Sequence, residues 1–141
     1  MAQLKAFIAG FLATLVFHQG VLALLHAVGP APAPFDFSPT QPLHVPHVIS
    51  LAFWGGIWAI LLWPFIRPNA EWRYWITALV LGAVGPSLVA LLVVFPLKGM
   101  AFAAGGDLKV WIAAFLLNGA WGIGVALFMR GLDRRPTAVA A

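Results

Sequence analysis

Polar side chains able to do chemistry are scarce in this sequence, and three of them fall at one depth of three different apolar segments: His18, Ser87 and Asn118. Together with Gln19 they define the expected ligand-binding set, a buried layer that could receive the polar head of a quinone, a lipid or a similar amphiphile. An ionisable residue inside an apolar span is a functional-site candidate by default. The same groups can instead satisfy one another, with His18 neutral and hydrogen-bonded to Asn118 or Thr14, and then they merely fix helix register. A second constellation lies further out. His26, His44 and His47, with Asp36 nearby, are the expected metal-ligating set for Zn²⁺ or Cu²⁺. His44-x-x-His47 straddles Pro46 and is not the i, i+4 helical pair that metal sites favour.

The elements that must position these groups follow from composition. Apolar residues make up 62% of the 141-residue chain and charged residues only 9%. A bilayer calls for about 20 predominantly apolar residues per helical span. Windows of that kind run from Leu4 to Val28, Val48 to Ile66, Tyr74 to Val94 and Lys109 to Met129. In lipid every backbone N–H and C=O must be satisfied internally, so the choice is helices or a closed barrel. Barrel strands alternate at period two, and Ser87-Leu88-Val89-Ala90-Leu91-Leu92-Val93-Val94 does not. The expected fold is all-α: a single integral-membrane four-helix bundle. The first segment is expected to stay as a span, because its apolar run exceeds the core of a cleaved signal.

At 1.5 Å per residue, His18 lies about 20 Å from Lys5, Ser87 about 20 Å from Tyr74, and Asn118 about 10 Å in from Trp111. All three therefore reach one level of the outer half. The small residues Ala6, Gly10 and Thr14 share a face with His18 at steps of four. Ala52 and Gly56, Ala78 and Gly82, and Ala114, Asn118 and Gly122 give the other spans comparable contact faces.

Basic residues set the orientation. Lys5, Arg67, Arg73, Arg130, Arg134 and Arg135 fall on one side, against Lys98 and Lys109 on the other. The positive-inside rule then places both termini in the cytoplasm. Residues 29–47 become a proline-rich periplasmic loop and 131–141 a cytoplasmic tail. Proline cannot continue a helix and restrains its predecessor, so Pro30 to Pro46 must be irregular. Phe35 and Phe37 are expected to hold this loop on the membrane surface or on the bundle. Asp107 is expected to cap the last helix. Val48–Arg67 lies on Trp111–Arg130 without a gap, matching Gly56 to Gly119, Trp58 to Trp121 and Arg67 to Arg130. Two tandem helical hairpins in parallel repeat are expected.

Several classes are disfavoured. The chain has no cysteine, which removes disulfides and thiol chemistry. The net charge of +4 comes from span-flanking residues and not from a basic stripe, so no nucleic-acid partner is expected. No acidic residue lies in any of the four windows, which disfavours a carboxylate proton pathway. Membrane haem needs histidines on facing helices, and the third and fourth segments have none. No P-loop or dinucleotide signature is present. No cofactor is therefore expected, and no enzymatic activity. The leading expectation is a multi-pass structural or accessory subunit of a bacterial inner (plasma) membrane. Its partners would be the lipid bilayer and either other membrane subunits or further copies of itself.

Overall fold

The computed structural model describes residues 1–133. Arg134, Arg135 and the rest of the expected tail lie outside the described residues. Four helices, each long and apolar enough to cross a membrane, carry the fold: α1 Ala2–Val28, α2 His47–Ile66, α3 Glu71–Leu97 and α4 Leu108–Asp133. Among the described residues there is no β-strand. The protein is a multi-pass membrane protein built as a helical bundle.

Each helix outruns its apolar window at one or both ends. At the end of α4 the helix continues past the apolar window through Arg130, whose long side chain can reach the interface. The added turns give α3 its start at Glu71 and α4 its end at Asp133. Met1 and Asp133 lie at one end of the bundle. There Lys5 Nζ reaches Asp133 Oδ1 at 2.9 Å and the Leu132 carbonyl at 2.8 Å. The chain thus crosses the bundle an even number of times.

The intimate pairs are α1 with α2 and α3 with α4, and α1 also packs along α4. Small residues make these approaches. Gly10 stands against the Gly55 carbonyl and Ala59, and Gly122 against the Ala78 carbonyl. A side chain added at Gly82 would come within 2.7 Å of the Gly122 Cα. Apolar side chains gain little by leaving lipid for a neighbouring helix, so close backbone approach is what holds such pairs. Gly124 takes the Phe17 ring, and Phe17 meets Phe128 edge-on with centroids 5.9 Å apart.

Two helices are interrupted. In α1, residues Thr14–His18 form a widened π turn, and the Gln19 N–H reaches back to the Thr14 carbonyl. A π turn inserts an extra residue and so advances the downstream face by about one position. The buried stripe Ala6, Gly10, Thr14 therefore continues to Gln19, which is 3% exposed, and not to His18, which is half-buried. The expected four-residue face ends at this slip. In α3, the buried Pro86 supplies no N–H to the ladder, and a second widened turn follows at Ala90–Val94.

The connections are built as caps. His47 N–H donates to the Ser38 carbonyl and Val48 N–H to the Asp36 carbonyl, both at 2.9 Å. The proline-rich loop thereby satisfies two of the donors orphaned at the start of α2. At α4, Lys109 N–H donates to Asp107 Oδ1 at 2.9 Å, the cap read from the sequence. The turn before it runs left-handed through Ala103, Ala104 and Gly105, with φ of 53°, 55° and 64°. Trp111 Nε1 secures that turn by donating to the Ala103 carbonyl at 2.9 Å.

Candidate functional site

The polar groups singled out above form two pairs. Asn118 Nδ2 donates to Ser87 Oγ at 2.9 Å, joining α4 to α3. Ser87 is fully buried. Gln19 is the hub of the other pair. Its Oε1 accepts from the Phe35 N–H at 2.6 Å, and its Nε2 lies 3.4 Å from His18 Nδ1. An amide nitrogen can only donate, so Nδ1 is the acceptor in this contact. The α1–α4 register, set by Lys5 with Asp133 and by Ala13 with Gly124, carries His18 to the level of Asn118. Among the described residues no hydrogen bond joins the two pairs.

Among the described residues every fully buried side-chain nitrogen and oxygen has a hydrogen-bond partner. An amide spent on a hydroxyl, and a glutamine spent on a loop amide, hold helices and loop in place. Releasing either pair to receive a ligand would leave a buried polar group unsatisfied, at a cost of about 1–3 kcal/mol.

The outward histidines go separate ways. His26 Nδ1 meets the Ala31 carbonyl at 2.7 Å; a carbonyl only accepts, so this nitrogen donates. His44 occupies a left-handed turn with φ 53°. His47 Nδ1 lies 3.6 Å from Asp36 Oδ2. Among the described residues no three His, Cys, Asp or Glu side chains are grouped so as to hold a metal ion. His26, His44 and His47 are thus not brought together, because each answers to a different segment of the loop. Asp36 is held below the ordinary carboxylate range. Hydrogen bonds from the Ser38 side chain and backbone are the main cause, and the His47 imidazole adds a smaller pull.

Sequence reasoning missed the three buried hydrogen bonds that end on main-chain carbonyls. Trp121 Nε1 and Thr14 Oγ1 both donate to the Gly10 carbonyl, each at 3.0 Å. Tyr74 Oη donates to the Ala126 carbonyl at 2.7 Å. The available signal was a tryptophan and a tyrosine inside spans otherwise rich in small residues. A buried indole or phenol in lipid must find an acceptor, and where a glycine bares the backbone the acceptor is a main-chain carbonyl.

Comparison with models of protein families, with curated proteins and with solved structures finds no match. What fold and site define together is the class: a multi-pass helical membrane protein in which every fully buried side-chain nitrogen and oxygen among the described residues has a partner.

Proposed function

We propose that this chain is a non-enzymatic accessory or structural subunit of the bacterial inner membrane, packing against another membrane subunit or a second copy of itself. The observation that supports this most directly is that Gln19 is spent on the loop amide of Phe35 and Asn118 on the Ser87 hydroxyl, so that these buried polar groups fasten elements to one another. What remains for interaction is surface. On the α1–α2 side, Phe7, Phe53 and Trp54 form a run of edge-on aromatic contacts at 5.7 and 5.9 Å, with Trp54 58% exposed. Trp54 lies about 10 Å from the start of α2 at the helical rise, below the headgroup level where tryptophan ordinarily sits. A rigid aromatic patch at that depth suits a protein neighbour.

Both termini are cytoplasmic in this reading, since Lys5, Arg67, Arg73 and Arg130 gather at one end of the bundle and basic residues favour the cytoplasmic side. The cysteine-free sequence makes single-cysteine labelling a direct check of that side. The tandem-hairpin reading gains support from matching contacts. The alignment that lays Val48–Arg67 on Trp111–Arg130 also lays Gly55 on Asn118 and Ala59 on Gly122. Gly55 and Ala59 face Thr14 and Gly10, while Asn118 and Gly122 face Gly82 and Ala78.

The experiment is a mass measurement on the full chain, taken from its own membrane into lipid nanodiscs without passing through harsh detergent. An assembly heavier than one chain is expected, with Trp54→Ala releasing the single chain. A lone chain in the unsubstituted protein would contradict the proposal.

A further inference from the structure

At the Lys5 end the bundle opens into a cleft of about 1000 Å³, lined by Trp63, Arg67, Asn69, Tyr74 and Arg130 among others. We infer that this cleft binds the phosphate group of an anionic phospholipid, held between Arg67 and Arg130. The inference is independent of whether the protein is an accessory subunit.

Charge is the first argument. Among the described residues neither arginine forms an ion pair, for the described pairs are Lys5–Asp133 and His47–Asp36. Two carboxylates line the same cleft, Glu71 and Asp133. Asp133 is already matched by Lys5 at 2.9 Å, so Arg67 and Arg130 together outweigh Glu71. Guanidinium groups suit this ligand, because their planar fork matches phosphate oxygens in a bidentate way.

The arginine beside the rings is also pre-positioned. The Arg130 guanidinium stands 5.5 Å over the Tyr74 ring and 5.4 Å over the Trp75 ring. Tyr74 is itself fixed by its bond to the Ala126 carbonyl. Stacking leaves the N–H fork available, whereas a carboxylate partner would consume it. Arg67 caps the end of α2 and lines the same cleft, and it is the residue that the internal repeat matches to Arg130. The two hairpins thus deliver the same side chain to the same opening.

The backbone agrees with the charges. Asn69 Nδ2 donates to the Phe65 carbonyl at 2.7 Å and to the Ile66 carbonyl at 3.3 Å, which covers the electronegative end of α2. The start of α3 is left bare, since Ala70 at the capping position has no side-chain acceptor to offer. Its first N–H groups lie where an anion is favoured. Trp63, Trp72 and Tyr74 place the opening at the aromatic belt, which is headgroup depth. Basic pockets between spans at that level are suited to acidic headgroups.

Native mass spectrometry of the full chain, released from nanodiscs of phosphatidylglycerol and phosphatidylcholine mixed equally, tests the assignment. Retained phosphatidylglycerol is expected to exceed phosphatidylcholine at least tenfold. Arg67→Gln should reduce that preference several-fold, and Arg67→Gln with Arg130→Gln should abolish it. Arg73→Gln, which changes an arginine outside the cleft, should leave it intact. Glu71→Gln should strengthen it. Arg130 also stacks on two rings, so thermal unfolding of each variant is recorded, and Arg67→Gln and Glu71→Gln decide the site by themselves. Equal losses from Arg73→Gln, or no loss from Arg67→Gln, would overturn the site. Displacement of the lipid by millimolar inorganic phosphate, with equal protection from unfolding in pure phosphatidylcholine, would overturn the lipid as its source.

Discussion

Trp121 Nε1 donates to the Gly10 carbonyl at 3.0 Å, and both groups are buried where α1, α2 and α4 meet. Gly10 at the same time stands against Gly55 on α2. One backbone carbonyl thus ties the second hairpin to the first, at a place where no side chain on α1 could fit. Trp121→Phe keeps most of the ring and removes the donor. Interhelical hydrogen bonds in membranes contribute about 0.6 kcal/mol on average and up to about 1.7. A loss of about 1 kcal/mol is expected in reversible unfolding in lipid, read against Trp58→Phe at the position that the sequence alignment lays on Trp121. No loss beyond that control would show the bond to be incidental.

Gly122 offers a sharper test of close packing. A Cβ at this position would collide with the Ala78 carbonyl, which is backbone and cannot swing aside. Gly122→Ala is expected to destabilise by about 1–3 kcal/mol through overpacking. Gly20 has open space around it, so Gly20→Ala should be neutral or slightly stabilising. Equal behaviour of the two variants in the same unfolding assay would contradict the α3–α4 crossing described here.

The contrast between these residues shows what could be read from sequence. The four spans were legible because burial in lipid is a matter of composition over a long window. The shared depth of Ser87 and Asn118 was legible because helical rise is constant. The displacement of His18 from the contact face was not, because it depends on the widened turn at Thr14–His18, and nothing in the residue types there encodes a five-residue step. Nor was the Gly10 acceptor visible, since a main-chain carbonyl carries no sequence signature.

The proline-rich loop is held to the bundle through Gln19. Its Oε1 accepts the Phe35 N–H at 2.6 Å, so Gln19→Leu removes the acceptor and retains a comparable volume. Amide exchange at Phe35 is expected to accelerate at least tenfold, with the amides of α2 near Ala59 unchanged. Unchanged exchange at Phe35 would mean that the loop is held by other contacts.

Acid should loosen the same loop. Asp36 is held below the usual carboxylate range by Ser38 and, more weakly, by His47. A carboxyl whose folded pKa is depressed contributes order that is fully present above its unfolded value and is lost as pH falls through the folded one. Exchange at Ser38, corrected for intrinsic rate, should therefore be flat from neutral pH down to the ordinary carboxylate range and should rise below it. Asp36→Asn should remove the acid-dependent step. A step that survives this substitution would assign it to another group.

The claim that this bundle exists to pack against protein is tested most directly at Trp54. A photoreactive residue placed there, and in the intact native membrane, should give adducts to a polypeptide, either a partner or a second copy. The same probe at Val93 on α3, also exposed, should give adducts to lipid. Lipid adducts alone at both positions would contradict an accessory role.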